Sequence, residues 1–172
     1  MTDTTAPAAA TSASPHRRLG LIIAVTIVIV DQLVKWIVTY PLSLETIRSI
    51  EILPFFDLTW VQNFGVSFGM LEARSETTRW LLVGFTALVA IGVAWWMWRE
   101  KARTDVIALG MVLGGALGNI IDRARVGYVI DYADLHFGEF RPFLVFNVAD
   151  ACITIGVLLL VARALLVREK AA

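Results

Sequence analysis

Apolar residues run in four long blocks, Leu19–Tyr40, Trp80–Trp98, Val106–Gly127 and Phe143–Val161. Each is close to the roughly 20 residues that an α-helix needs to cross a bilayer. The second block is free of charge, whereas the first carries Asp31 and Lys35, the third ends in Asp122, Arg123 and Arg125, and the fourth carries Asp150. An ionisable side chain at bilayer depth costs at least roughly 2.5–3.5 kcal/mol near a helix centre, so each of these needs a reason to be there. Between the first two blocks, EILPFFDLTWVQNFGVSFGM is rich in Phe, Trp, Ile and Val, with stretches of near-alternating pattern and glycines as punctuation, which predicts a few short strands lying on the membrane surface. Trp60, Phe55, Phe56 and Phe64 suit an interfacial aromatic belt. The first 18 residues show no periodicity and read as a disordered tail. The expected organisation is a tail at 1–18, a four-helix unit at 19–165 with an outer segment at 41–79, and a second tail at 166–172. The fold class is a membrane all-α bundle of four transmembrane helices with a small extracytoplasmic β-sheet.

Composition agrees with the pattern: of 172 residues 58% are hydrophobic and 17% charged, and the mean hydropathy is +0.71, far above that of a soluble domain. Lys plus Arg and Asp plus Glu balance at 15 each, which points to no nucleic-acid partner. The distribution of charge is more informative. Arg17 and Arg18, then Arg99, Lys101 and Arg103, then Arg168 and Lys170 mark one side as cytoplasmic, with both termini there. Arg17 and Arg18 ahead of an apolar run also resemble a signal peptide, but no small-x-small site follows, so the first span is read as uncleaved. The single cysteine, Cys152, lies in an apolar run and can form neither an intramolecular disulfide nor a thiolate cage.

With that topology Asn119, Asp122 and Arg123 of GNIIDR, Asp131 of GYVIDY, and Asn147 and Asp150 of FNVAD fall at one membrane depth. Asn119 and Asp122, and likewise Asn147 and Asp150, are spaced i, i+3 and are expected to share a helix face. Gly114, Gly115 and Gly118 would admit a neighbouring helix closely. The carboxylates admit two readings. In one, Asp122 and Arg123 make interface ion pairs and Asp150 hydrogen-bonds across helices. In the other, Asp131 and Asp150 share a proton and activate water, because two adjacent carboxylates in a dry site do not both ionise easily. Asp31 and Lys35, spaced i, i+4, read as a structural pair with Lys35 snorkelling to the interface. GVSFG matches the nucleophile-elbow pattern around Ser67, but neither the strand-to-helix context nor a suitable histidine is expected. His136 alone makes no zinc site, and no metal or other cofactor is expected.

DQLVK, NFGVSF, GGALGNIIDR, VGYVIDY and FNVAD, in this order and on four spans, resemble the signal peptidase II family of bacterial membrane aspartyl peptidases. The resemblance covers about Leu19 to Val161. It implies a peptidase of the bacterial inner membrane, with its site near the outer face, that cuts lipid-modified prolipoproteins before the diacylglyceryl cysteine. It further implies Asp131 and Asp150 as catalytic residues, Asn63, Gly65, Asn119, Arg123 and Asn147 around the substrate, and Asp31, Lys35 and Asp122 in support. Prolipoproteins and membrane lipids are the expected partners, and a monomer the expected state. Asn147 or Asn119 is expected to donate to the peptide or to the developing oxyanion. The NFGVSFGM segment is expected to close over the substrate as an apolar flap, with Asn63 on its backbone. A small transporter or proton-coupled channel with Asp31, Asp122 and Asp150 as a relay through the bundle is the rival reading, but the ionisable residues cluster toward one side and the sequence shows no convincing inverted repeat. A non-catalytic scaffold would leave the carboxylates unexplained.

Overall fold

The computed structural model describes residues 16–65 and 76–169. Among these, four helices are long and apolar enough to cross a membrane: α1 (Arg17–Thr39), α3 (Glu76–Arg99), α4 (Arg103–Arg125) and α5 (Val148–Glu169). A short helix, α2 (Leu44–Ile47), leads into β1 (Ser49–Leu53) and β2 (Phe56–Asn63), while β3 (Val129–Leu135) lies between α4 and α5. The three strands form one antiparallel sheet in the order β1-β2-β3.

The bundle is organised around α4, half of which is buried; the others turn most of their surface outward, as lipid-facing helices do. Lipid offers no hydrophobic drive for helix association, so close approach depends on small residues. On α4, a Cβ at Gly110 or Gly114 would lie 2.7 Å from the backbone carbonyl of Gly20 or Ala24 on α1, and one at Gly115 would strike the Ala149 carbonyl of α5. The expected glycine contact is therefore two contacts, with α1 on one side and α5 on the other. Ala24, Ala90, Met97, Val106, Leu109 and Leu113 fill the remaining core. At the end of the bundle where α1 begins, Arg17 donates to the Trp98 carbonyl (2.9 Å) and Arg163 pairs with Asp105.

The opposite end carries the sheet. After α4, Gly127 takes φ +92°, a left-handed conformation that reverses the chain at the helix end and launches β3. Arg79 of α3 closes that end by donating to the carbonyls of Arg123 (2.7 Å) and Ala124 (2.6 Å). Strand β3, which the apolar pattern does not announce, pairs with β2 so that Val61 faces Asp131 and Asn63 faces Val129. The sheet rests on α1 and α2 through Val38, Leu44, Trp60, Ile130 and Tyr132. Trp60 is thus 5% exposed and is not part of an interfacial belt.

The fourth helix begins at Val148, not Phe143. Phe146 instead exchanges main-chain hydrogen bonds with Ala133 of β3 (2.8 and 3.0 Å), which holds it extended. Asn147 then starts the helix: its side-chain oxygen accepts the Asp150 N–H (2.9 Å), and Asp150 accepts the Asn147 N–H (3.3 Å). That reciprocal arrangement is a capping box. Asn147 therefore does not share a helix face with Asp150 but caps the helix Asp150 belongs to. Helix α1 likewise begins two residues before the expected boundary, and α5 continues past 165.

Candidate active site

Asp131 projects from the middle of β3 and is 1% exposed. One of its oxygens accepts from Asn63 Nδ2 (3.0 Å) and the other from Asn147 Nδ2 (2.6 Å). The first bond follows from strand register: Asn63 lies two residues from Val61, the partner of Asp131, and side chains at that spacing share a sheet face. Asp150, in the first turn of α5, accepts from Asn119 Nδ2 of α4 (2.8 Å) and from the Asn147 main chain. Asn147 thus touches both carboxylates, one with its side chain and the other with its backbone.

Burial and the neighbouring Asp150 charge push the Asp131 carboxyl up to about 7, against the opposing pull of the Asn63 and Asn147 hydrogen bonds and of Lys35. A carboxyl in that range exchanges its proton readily near neutral pH, which is what an acid–base pair requires. Arg123 stands within electrostatic reach of Asp131, Asp150 and Asp122, and its buried Nε has no hydrogen-bond partner among the described residues. Asp150 also borders a groove of about 230 Å³ lined by Phe143, Leu144, Phe146, Ala151 and Ile155. The lining is almost wholly apolar, so one wall of this polar cluster is open to hydrocarbon.

Behind the two carboxylates lies a buried ion cluster. Lys35, 2% exposed, pairs with Asp31 (2.8 Å) and Asp122 (2.7 Å) and reaches Asn119 Oδ1 (3.3 Å). It does not snorkel, because two carboxylates and an amide satisfy its ammonium inside the bundle. Asp31 also accepts the Ala149 N–H of α5 (3.0 Å), and Asp122 accepts the Ile130 N–H of β3 (3.2 Å). The two acids therefore fasten α5 and β3, the elements that bear Asp150 and Asp131. Gly118 makes room for this, since a Cβ there would lie 2.6 Å from Asp31 Oδ2. Gln32, which donates to Asp122 (2.8 Å), belongs to the same cluster. Its place beside Asp31 in an apolar span was the available signal.

The expected polar residues converge. The amide nitrogens of Asn119 and Asn147 each donate to a carboxylate, so they orient Asp150 and Asp131. Asn63 likewise turns toward Asp131, and its oxygen accepts the Gly65 N–H (3.1 Å), so Gly65 fixes the Asn63 rotamer. Phe64 packs on Tyr128, with ring centroids 5.4 Å apart. Ser67, Phe68 and Gly69 lie outside the described residues, and with them most of the expected flap. Among the described residues no group of three or more His, Cys, Asp or Glu side chains converges on a possible metal position.

The family model for Signal peptidase (SPase) II matches residues 23–166. The chain is 63% identical over 158 residues to the lipoprotein signal peptidase of Sphingopyxis alaskensis, covering 92% of this chain and 91% of that one. It is 60% identical over 156 residues to the lipoprotein signal peptidase of Rhizorhabdus wittichii, covering 91% of each. Two solved bacterial membrane enzymes superpose with a TM-score of 0.72; at 29% and 30% identity they match 86% of this chain, and 88% and 93% of their own.

Proposed function

The chain belongs to the signal peptidase II family of membrane aspartyl peptidases, and from that premise we propose that it cleaves prolipoproteins before a diacylglyceryl cysteine with Asp131 and Asp150 as its catalytic pair. The observation that carries this reading is Asn147, which binds both carboxylates at once. Two acids held by one residue, one of them with its pKa raised to about 7, suit proton exchange near neutral pH.

Asp150 takes a proton from water as its oxygen attacks the scissile carbonyl carbon; Asp131, which retains the shared proton, passes it to the leaving nitrogen as the C–N bond breaks. Arg123, within electrostatic reach of both acids, supplies a positive field for the oxyanion. The apolar groove beside Asp150 suits a substrate whose cysteine is anchored in lipid, since its acyl chains stay in hydrocarbon while the peptide bond meets the acids. Arg17, Arg99 and Arg103 gather at the bundle end away from the sheet, which supports cytoplasmic termini and a site at the outer face of the bacterial inner membrane.

The test is cleavage of a diacylglyceryl prolipoprotein peptide by the purified protein in detergent. Asp131→Asn and Asp150→Asn should each remove nearly all turnover, and the double variant should be little worse than either. Substantial turnover in either single variant would move the chemistry to Asp122.

A further inference from the structure

The last turn of α4 has two carbonyls that its own backbone leaves unused. The final helix bond runs from the Val126 N–H to the Asp122 carbonyl (2.8 Å), and among the described residues no main-chain N–H beyond the helix returns to Arg123 or Ala124. A helix end leaves such carbonyls over, and helix ends fray.

Arg79, in the first turn of α3, takes both. Its Nε donates to the Arg123 carbonyl (2.7 Å) and its Nη2 to the Ala124 carbonyl (2.6 Å), a forked contact that suits a planar guanidinium and not an ammonium. The side chain is 19% exposed, and its Cζ lies 5.1 Å from the centre of the Trp80 ring. It also borders Gly127, the residue that turns the chain into β3. Glu76 stands 3.4 Å from Arg79 and is 82% exposed, so that ion pair adds little.

Arg123 is the residue whose place this contact decides. Asp31 and Asp122 accept from the main chains of α5 and β3, which carry Asp150 and Asp131. The Arg123 side chain has no comparable tie through its buried Nε, which lacks a hydrogen-bond partner among the described residues. Its guanidinium is therefore aimed chiefly by the main chain from which it extends.

We infer that Arg79 is a positioning residue for the reaction: by gripping the carbonyls of Arg123 and Ala124 it fixes the last turn of α4, and with it the reach of the Arg123 guanidinium toward the two acids. The inference rests on the proposal that Arg123 stabilises the oxyanion. A misplacement of about 1 Å near the chemistry can cost about 100-fold in rate. Such a loss falls on the transition state, so it appears in kcat and leaves KM nearly unchanged. A contact that merely capped α4 would alter the unfolding midpoint and leave kcat as it is.

The test uses the purified full chain in detergent with a diacylglyceryl prolipoprotein peptide, kcat and KM being measured separately. Arg79→Lys keeps the charge and one donor, so it should fold, but it loses the fork; kcat should fall about tenfold while KM stays within about twofold. Arg79→Gln should lose at least as much. Arg123→Gln should cost about 100-fold in kcat, as removal of an oxyanion-stabilising group does. Adding Arg79→Lys to Arg123→Gln should slow it by no more than about twofold, since nothing is left to position. Normal kcat in Arg79→Lys and Arg79→Gln, whatever their unfolding midpoints, overturns the positioning role and leaves Arg123 in its own. A double variant slowed by the product of the two single losses also overturns it, because Arg79 would then act independently of Arg123. Normal kcat in Arg123→Gln overturns the reading of Arg123 itself, and this inference with it.

Discussion

Replacing Asp131 with asparagine should make the protein more stable at alkaline pH while destroying its activity. The Asp131 carboxyl lies near 7 in the folded chain, against 3.8 when unconstrained, so between those values the folded state binds the extra proton. Its contribution is therefore most favourable below pH 3.8 and is lost as pH rises through about 7. Three pKa units correspond to about 4 kcal/mol at pH 8, and about 1.5 kcal/mol of that is already felt at pH 5. Asparagine carries no charge and escapes this cost, but it has one acceptor where Asn63 and Asn147 each need one, which returns about 1–3 kcal/mol at either pH. The net change should be close to zero at pH 5 and about 2 kcal/mol stabilising at pH 8. Equilibrium unfolding in mixed micelles, titrated with SDS and followed by far-UV circular dichroism at both pH values, measures it. If the variant and the parent lose stability in parallel from pH 5 to pH 8, Asp131 does not carry a raised pKa, and the division of labour between the two acids is wrong.

Two further substitutions separate the roles of the supporting residues. Asn147→Ser retains an N-cap oxygen for α5 but removes the amide donor to Asp131; stability should fall by about 1–3 kcal/mol, turnover should fall about 10- to 100-fold, and the alkaline limb of the pH–rate profile should move upward, since that donor favours the ionised form. Lys35→Met leaves Asp31 and Asp122 buried without their cation and should cost about 3–5 kcal/mol in the same unfolding assay, with part recovered on adding Asp122→Asn.

The four spans were legible because a run of about 20 apolar residues has few other uses, and the polar site because acids and amides inside such runs are conspicuous. What escaped the sequence has physical reasons. VIDYADL is buried along almost its whole length, so the alternation that marks a half-exposed strand is absent. FNVAD is compatible with an i, i+3 pair on a helix face and with a capping box, because the two differ only in where the helix starts. That start is set by Phe146 pairing with β3, a contact between residues distant along the chain. The depth of Lys35 was equally hidden, since snorkelling and burial use the same side chain and are decided by whether carboxylates from another helix arrive; Asp122 does.

The two acids stand on different kinds of support, Asp150 on a helix immersed in lipid and Asp131 on a sheet carried at the bundle's end. A helix adjusts its tilt to the thickness of the bilayer around it, whereas a sheet outside the hydrocarbon has no such obligation. The gap between the carboxylates is therefore exposed to the mechanics of the membrane, and the ties from Asp31 to α5 and from Asp122 to β3 act as a brace against it. Seen this way, the buried ions hold a proteolytic centre in register while the thickness of its solvent varies.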